Sequence, residues 1–521
     1  MRIIILPFAA LACSLQAHAQ AGTLDMDFST DGLFAWDLSS SDDQISAVIV
    51  QPDDKIVGAG WVTDGSFASI AVQRLMPDGT PDPGFGTGGL VYSNSPDGQY
   101  FAYAVGVQST GKIVVAGLAY DINFDGNVLL LRYLSDGTPD AGFGTGGALS
   151  TDLGGGPGFQ AAWAMRIMAD DRIVVVGDEN ANGAVCARFT PDGDPDPTFG
   201  TNGVSPIGLT SSTGLCMDLY DDGSVIAGGY YVPGASDWML ARFDAGGVLD
   251  PSFGVGGVVT TSIGNGDTEF MRGISVMDDG RIAACGSQSY IGLDDEPIIA
   301  LFNDDGTPDS NFGSAGVVVL PFVAPLYGQA RAIATPEGKL LVAGFRAQPG
   351  VPNDNDFFLY RLLDDGTLDP SFAGNGQVYT DVTGSFDRAF AMALAPDGDI
   401  VLAGYGFITE RATGYARYVN DLSTGVRPVP LPTCALTLFP VPASDILFLD
   451  RVNRVAGQVT TTLWSSDGRC VLMVDHGKQP AGMQRLSLDL PKELRIGIYT
   501  VQVAGGGTVD RAQIAIAGSG H

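Results

Sequence analysis

The chain has 521 residues and a formal net charge of −32. Such an acidic surface repels phosphate backbones and anionic lipid, which argues against nucleic acid and membrane surfaces as partners. No segment after the first residues is long and apolar enough for a transmembrane helix, so we expect no membrane insertion. The 72 glycines, spaced among short Val, Ile and Leu runs, predict an all-β protein with tight turns.

The first residues are typical of a signal peptide. Arg2 provides a positive start, residues 3–12 are apolar but too short to span a bilayer, and Ala17 and Ala19 form a small-x-small cleavage pattern. A lipid anchor at Cys13 is disfavoured, because Leu is absent three positions before it. We therefore predict that residues 1–19 are removed and that the protein is exported.

A repeat begins directly after this segment. One of its turns is "PDGTPDPGFGTGG" at 77–89, and the phenylalanine of this turn recurs about every 57 residues. These residues are Phe28, Phe85, Phe143, Phe199, Phe253, Phe312 and Phe372. A short apolar run that ends in glycine, such as "KIVVAG", recurs in the same register. The glycines are Gly60, Gly117, Gly177, Gly229, Gly286, Gly344 and Gly404.

Each repeat has room for four strands. In the second unit they are predicted at 90–94, 101–108, 112–120 and 127–134. Four antiparallel strands in a unit of this length are typical of a propeller blade, which needs a neighbour on each face. We therefore predict that residues 20–425 form a closed, seven-bladed β-propeller.

The two ends of the repeat region complement each other. Most units carry an arginine in the fourth strand and an aspartate eight residues later. The last unit has Arg417, but Gly425 stands where the aspartate should be, and the first turn has Asp25 without an arginine before it. We predict that residues 22–28 dock on the seventh blade and that Asp25 approaches Arg417, which closes the ring.

One loop in the second unit follows the order of calcium ligands. "DINFDGN" places Asp121, Asn123 and Asp125 at alternate positions before Gly126, so their oxygens could converge on a hard cation. The twelfth position is Arg132 instead of a bidentate Glu. A calcium site and a simple Asx-rich turn both remain open, and "NDND" at 353–356 is a second, weaker candidate.

The repeat stops near residue 425. Residues 426–433 are rich in proline and are predicted to be a linker. Residues 434–518 alternate apolar and polar positions over several short strands, which predicts a small Ig-like β-sandwich.

Both parts resemble known families. The repeats, with "DGTLDPSF" turns and "KIVVAG" runs, resemble the delta-60 repeat family of bacterial surface proteins. The tail is similar to the type A C-terminal sorting domain of type IX secretion, through "LFPVPASDIL" (438–447), "DGR" (467–469) and "GIY" (497–499), although Val441 replaces the usual Asn. The second resemblance implies the type IX machinery as a partner of residues 434–518. It also implies passage across the outer membrane of a Gram-negative bacterium, to a secreted or surface-anchored state.

The distribution of histidine limits the chemistry. His18, His476 and His521 are the only histidines, so residues 20–425 hold no Ser-His-Asp or Cys-His site and no His-ligated metal. The cysteines form no CxxC pair and are interpreted as small buried residues. Carboxylate chemistry or simple binding remains, and the acids that break the repeat are Glu269, Glu296 and Glu410.

The sequence favours a non-enzymatic propeller that presents an extracellular face to a glycan or protein ligand. The alternative is a carboxylate-dependent glycoside hydrolase that acts on extracellular polysaccharide, and a passive coat protein is a third interpretation. Four tryptophans could stack on sugar rings or pack in the core. They are Trp36, Trp61, Trp163 and Trp238.

Overall fold

A computed structural model describes residues 20–420, except 40, 66, 96–97, 124, 154–158, 180–182, 264–267, 290–294, 321–327 and 348–354. In the C-terminal part it describes residues 437–439, 446–453, 457–465, 470–479, 482–490, 497–505 and 508–516. The predicted signal peptide and linker lie outside the described residues. The chain divides into one unit that ends at Arg427 and a second that starts at Pro428.

Seven four-stranded antiparallel sheets make up the first unit, which confirms the predicted seven-bladed propeller. In each sheet the strand that lines the central cavity is called the inner strand, followed outward by the second, third and outer strands. The inner strands are β2 (Asp43–Val50), β6 (Gln99–Val107), β10 (Gln160–Ile167), β14 (Ser212–Leu219), β18 (Thr268–Val276), β22 (Gly328–Ala334) and β26 (Asp387–Leu394).

The remaining strands follow the same order in every blade. The second strands are β3 (Ile56–Thr63), β7 (Ile113–Tyr120), β11 (Ile173–Glu179), β15 (Val225–Tyr231), β19 (Ile282–Ser289), β23 (Leu340–Ala347) and β27 (Ile400–Phe407). The third strands are β4 (Ala68–Leu75), β8 (Gly126–Tyr133), β12 (Gly183–Phe189), β16 (Asp237–Phe243), β20 (Glu296–Phe302), β24 (Asn355–Leu362) and β28 (Arg411–Tyr418). The outer strands are β5 (Leu90–Ser93), β9 (Ala148–Thr151), β13 (Val204–Pro206), β17 (Val258–Thr261), β21 (Val317–Val319), β25 (Gln377–Thr380) and, for the seventh blade, β1 (Leu33–Trp36).

The predicted grouping of strands in the second unit is wrong by one strand. Residues 90–93 form β5, which pairs with β4 of the first blade, and the outer strand of the second blade is β9. The strand after the repeated turn returns to the third strand of the blade that precedes the turn. A sequence unit and a blade are therefore offset.

This offset leaves the seventh blade to be completed by the start of the chain. β1 pairs antiparallel with β28, from Leu33 opposite Ala416 to Trp36 opposite Thr413. Before it, the Asp25 amide donates to the Arg417 carbonyl oxygen (2.9 Å). The Asp25 carboxylate lies 3.1 Å from Arg417 Nε. The first residues thus supply both the missing strand and the missing aspartate.

One arginine links each blade to the next. Arg74 Nε lies 2.7 Å from Asp82 Oδ2, and its guanidinium lies over the Phe85 ring. Its Nη1 donates to the Ser135 carbonyl oxygen in the turn of the second blade (2.5 Å). An arginine that bridges its own turn and the next blade in this way is called a junction arginine. The others of this type are Arg132, Arg188, Arg242, Arg361 and Arg417.

In the fifth blade a different arginine binds the turn carboxylate and links the blade to the next one. Leu301 occupies the place of the junction arginine. Arg281, from the turn between β18 and β19, reaches the same carboxylate, with Nη1 3.1 Å from Asp309 Oδ2. Its Nη2 lies 2.5 Å from Asp364 Oδ1 in the sixth blade. The turn carboxylate and the link to the next blade are therefore kept although the arginine comes from another strand.

Every inner strand contains a β-bulge, and the bulge explains the repeated glycine. In the fourth blade the register shifts between Gly214 and Cys216, opposite Gly229. A Cβ on Gly229 would lie 1.9 Å from the Thr213 carbonyl oxygen, so no side chain fits there. The seven repeated glycines all face such an oxygen, at 1.8–2.0 Å, because the bulge turns one carbonyl toward the second strand.

The antiparallel order places alternate connections on opposite faces of the ring. The face with the repeated turns, such as 77–89, is called the turn face. The opposite face carries the connections between blades and between second and third strands, such as 121–125 and 207–211, and is called the loop face. The turn face repeats almost unchanged, whereas the loop-face connections differ in length and sequence.

The second unit contains two antiparallel sheets. One has three strands: β29 (Thr437–Phe439), β30 (Ile446–Asn453) and β33 (Gly482–Asp489). The other has four: β31 (Gly457–Ser465), β32 (Cys470–Gln479), β34 (Gly497–Gly505) and β35 (Thr508–Ile516). Side chains from both sheets, including Leu449, Leu463, Leu488 and Val501, are buried in one apolar cluster. In the described part of the chain the single helical turn is Pro336–Gly338, and no helix there is long and apolar enough to cross a membrane.

The β-bulge predicts that a single methyl group added to the glycine opposite it will strongly destabilise the blade. We expect Gly229→Ala to lower the free energy of unfolding by about 2 kcal/mol or more, because the strands must separate to admit the Cβ. Gly234→Ala is the control, since a Cβ there meets nothing within 4 Å. Urea unfolding measures both, and equal stability of the two variants would contradict the role of the bulge.

The junction of the fifth blade predicts unequal costs for two similar substitutions. Arg281→Leu leaves the buried Asp309 without its cation, and we expect a loss of about 2 kcal/mol or more. Arg172→Leu should cost less than about 1 kcal/mol, because Asp196 keeps the junction arginine Arg188 at 2.7 Å. Thermal unfolding of the two variants tests this order, and a larger loss in Arg172→Leu would refute it.

Candidate ligand-binding cavity

A central cavity of about 310 Å³ is lined by the inner strands of all seven blades. Each bulge turns one side chain toward this cavity. The bulge residues, called the cavity ring, are Ser46, Tyr103, Trp163, Leu215, Arg272, Arg331 and Phe390. They differ between blades, whereas the backbone that presents them is the same. The ring therefore combines a repeated scaffold with unrelated side chains.

Beneath the cavity ring the lining is uniform. The residue after each bulge residue is Ala, Cys or Gly, and the next is aliphatic or Met. This second layer consists of Val48, Val105, Met165, Met217, Ile274, Ile333 and Met392. Because each inner strand starts at the loop face and the bulge lies near its start, the cavity ring is nearer the loop face than the apolar layer is.

One side of the cavity ring is aromatic. The Tyr103 and Trp163 rings, on neighbouring blades, have centroids 4.3 Å apart at an angle of 30°. Phe101 stacks with Tyr103, and Trp61 and Tyr120 contact Phe101 edge to face. All five side chains are partly exposed. They form a continuous aromatic surface on the first three blades at the loop-face end of the cavity.

The orientation of Trp163 is fixed by a half-buried carboxylate. Trp163 Nε1 donates to Asp178 Oδ1 at 3.0 Å. Burial raises the pKa of Asp178 to about 6, and the hydrogen bond from Trp163 opposes this shift only in part. The protonation of Asp178 and the environment of Trp163 are therefore coupled near neutral pH.

The opposite side of the cavity ring is cationic. Arg272 and Arg331 come from the neighbouring fifth and sixth blades. The Arg272 guanidinium carbon lies 5.1 Å from the centroid of the Phe270 ring, and that of Arg331 lies 4.8 Å from that of Phe390. Contact with an aromatic face restricts each long side chain and favours its charge at that place.

The charge of the lining is opposite to that of the chain. Three arginines line the cavity, and the third, Arg166, pairs with Asp218 at 3.3 Å. Among the described residues that line the cavity, none is Asp, Glu or His. In a chain with a net charge of −32, this lining provides a local site for a negatively charged group.

The predicted calcium loop lies on the loop face, between β7 and β8. Asp121 Oδ1 accepts the backbone amides of Asn123 (2.7 Å) and Asp125 (3.0 Å). The hydrogen bond from the Asp125 amide, with those from Asn123, lowers the pKa of Asp121. These contacts form an Asx turn, and the calcium site stays a prediction.

The buried acids at the starts of the inner strands hold loops. Asp387 Oδ2 accepts the amides of Val382 and Thr383 (2.5 and 3.2 Å), and Glu269 Oε2 accepts the amide of Ile263 (2.7 Å). Asp43 makes the equivalent bonds in the first blade. The repeat-breaking Glu269 therefore serves the same structural purpose as two aspartates.

Three of the carboxylates in the described residues come close together between the sixth and seventh blades. One oxygen from each of Asp356, Asp381 and Asp387 lies within 4.8 Å of the other two. Burial raises the pKa of Asp387 to about 7, and the neighbouring Asp381 adds to this shift although hydrogen bonds oppose it. A proton shared in this group relieves the repulsion of like charges.

The cavity ring itself was not predicted, although the sequence carries a signal for it. Strings such as "WAM", "RGI" and "FAM" each place a variable residue before a small and an apolar one, about 14 residues ahead of the repeated glycine. Alignment on that glycine isolates the variable position. Of the four tryptophans considered, Trp163 lines the cavity, Trp61 belongs to the aromatic surface, and Trp238 is fully buried in the core.

Comparisons with known proteins agree with the fold. The model of the DUF5122 β-propeller family, a domain of unknown function, matches residues 51–85, 108–143, 169–199, 221–253 and 335–372. The repeats thus fit a delta-60-like propeller family. A search of curated proteins finds no match to the chain.

Solved structures with similar folds are distant. They include the β-propeller domain of the Trilobed protease from Pyrococcus furiosus, with 9% identity, a TM-score of 0.38, and coverage of 75% of this chain and 97% of that one. Sqt1 from Chaetomium thermophilum has 11% identity, a TM-score of 0.36 and coverage of 75% and 97%. An α-L-arabinofuranosidase from Lactobacillus brevis has 12% identity, a TM-score of 0.28 and coverage of 62% and 92%. At these scores the similarities carry no argument about function.

The contact between Trp163 and Asp178 predicts a fluorescence titration. As the pH falls through about 6, Asp178 gains a proton and its hydrogen bond with Trp163 weakens. We expect a change in tryptophan emission with a midpoint near this pH, and no such change in Asp178→Asn. Trp163→Phe is the control, because it removes the reporter and keeps the acid. If the fluorescence transition persists in both variants, it arises from groups other than Asp178 and Trp163.

Proposed function

We propose that this protein is a non-catalytic binding propeller that takes up an extracellular ligand in its central cavity from the loop face. The observation that carries the proposal is the lining of the cavity: arginines and aromatic rings on a repeated backbone, with no carboxylate among the described lining residues. Such a surface offers contacts for recognition, and its described residues include neither a carboxylate nor a histidine that could act as general acid or base.

The cysteines support a role without nucleophilic chemistry. Cys186, Cys216 and Cys285 are buried and unpaired with one another. Burial raises the pKa of Cys216, which lines the cavity, to about 12, and it raises that of Cys285 well above its usual value. Because the thiolate is the reactive form, these thiols are inert at neutral pH.

A carboxylate-dependent glycoside hydrolase is the second candidate. The observation that favours it is the group of Asp356, Asp381 and Asp387, in which one acid has a raised pKa beside two others. A protonated acid next to a carboxylate is the pair that glycoside hydrolysis uses. Against this, Asp387 already accepts the amides of Val382 and Thr383, which a structural role explains.

Export forms part of the proposal. The signal-like residues 1–19 and the tail at 434–518 are the sequence features that support it. The two sheets that share one apolar cluster in the second unit are compatible with a small β-sandwich that acts as a type IX sorting domain. The propeller is then released from the cell or anchored at its surface. Fractionation of the producing cell, with mass spectrometry of both termini, tests this part.

A panel of soluble polysaccharides and glycoproteins tests binding against catalysis. We expect the purified full chain to retain at least one polymer without releasing product. Ser46→Trp, which fills the cavity, should abolish retention. Val255→Trp, at an exposed position of the turn face, is the matched control and should retain the polymer. Product release that disappears in Asp387→Asn would establish the hydrolase instead.

A further inference from the structure

The arrangement of the cavity ring specifies a class of ligand. In the order of the blades, the ring is Ser, Tyr, Trp, Leu, Arg, Arg and Phe. The aromatic pair Tyr103 and Trp163 and the cationic pair Arg272 and Arg331 are thus separated by Leu215 on one side. On the other side they are separated by two further blades. A ligand that fills the cavity contacts both pairs.

The cationic pair selects an anion of a particular geometry. A guanidinium group presents parallel N–H donors that match the two oxygens of a carboxylate. Arg272 and Arg331 lie on adjacent blades with their guanidinium groups against Phe270 and Phe390. Arg331 Nη1 also donates to Gln329 Oε1 at 3.2 Å, which orients it further. These contacts restrict each of the two guanidinium groups separately.

The aromatic pair selects a flat, partly apolar body. A sugar ring presents C–H groups on its faces, which pack on the rings of Tyr and Trp. Asp178 fixes the plane of Trp163 through its 3.0 Å hydrogen bond. The deeper layer, including Ile333 and Met392, adds apolar contact, and the third arginine of the lining, Arg166, is paired with Asp218. The body of the ligand is therefore a ring with one negative group.

The size of the cavity and the net charge of the protein favour the terminal residue of a polymeric ligand over an internal segment. A cavity of about 310 Å³ is at the lower end of the range for ligand sites, about 300–1,000 Å³. The net charge of −32 opposes a long polyanion that lies along the outer surface. One terminal residue can enter while the remainder of the ligand stays in solvent.

We infer that the cavity binds the terminal carboxylate-bearing sugar of an acidic polysaccharide. The carboxylate lies at Arg272 and Arg331, and the sugar ring packs on Trp163. This inference rests on the proposed function, because it requires that the cavity be the ligand site.

Calorimetry with oligogalacturonate tests the inference on the full chain. We expect saturable binding, and at least a tenfold weaker affinity for the methyl-esterified oligomer, which is neutral and otherwise alike. Arg272→Gln and Arg331→Gln should each weaken the binding of the acid at least tenfold and leave the ester unchanged. Arg272→Lys should give an intermediate loss, because it keeps the charge without the fork of donors.

Matched variants distinguish the loss of a contact in the cavity from a loss of stability and from a change elsewhere on the loop face. Arg411→Gln removes a partly exposed arginine that begins β28 and does not line the cavity, and it should bind as the unaltered chain does. Trp163→Ala should weaken the acid and the ester by the same factor. Melting temperatures of all variants must agree within about 2 °C for the affinities to be compared.

The outcomes distinguish the inference from the proposed function. If the acid and the ester bind equally and Ser46→Trp abolishes both, the cavity is the site but the ligand class is wrong. If a sulfated galactan oligomer or a DNA oligomer binds through Arg272 while oligogalacturonate does not, the carboxylate assignment is overturned. If probes bind but Ser46→Trp does not weaken the binding of any of them, the cavity is not the binding site. If no probe binds at all, the cavity is likewise rejected. In both cases the inference and the proposed function fail together.

Discussion

The structure depends on an ionic link at each junction between blades. A junction arginine holds the carboxylate of its own turn, packs on an aromatic ring, and donates to the next blade, as Arg188 does with Asp196, Phe199 and the Ala245 carbonyl. Burial by itself would raise the pKa of Asp196, but hydrogen bonds from Thr198 and two guanidinium groups hold it well below its usual range. A ring is closed only if all its junctions hold. Arg281 shows that the link is kept where its usual residue is absent.

This link confines the repeated sequence to one face and leaves the other free to differ. The turn face carries the Asp, Phe and Gly residues that each junction needs, so its sequence is constrained in every blade. The bulge near the loop face requires only a glycine opposite it and a small residue after it. The backbone of the bulge is the same in every blade, whichever side chain the bulge residue carries. Seven different side chains can therefore surround one cavity without a change in the scaffold.

The fold was predictable because its determinants are local and repeated. The Asp-Gly turns, the period and the absence of an aspartate after Arg417 all stand in the sequence. The strand grouping failed because a turn motif marks where the chain reverses, and does not show that β5 returns to the blade before it. The cavity ring was missed for a related reason: a bulge reverses the alternation of side chains, so a period of two misassigns Trp163 and Arg272. The hydrogen bond between Trp163 and Asp178 could not be predicted, because it depends on which residues of β10 and β11 lie opposite each other. The composition of the chain carries no information about this register.

The opposite charges of surface and cavity act at different distances. At physiological salt the field of the acidic surface falls off over about 8 Å, so it acts on any polymer that lies against the protein. Inside the cavity the arginines are close to the ligand and screening is weak, so a single anionic group gains most there. The surface then disfavours anions that do not fit, and the cavity favours one that does. Specificity in such a protein comes as much from what the surface rejects as from what the ring binds.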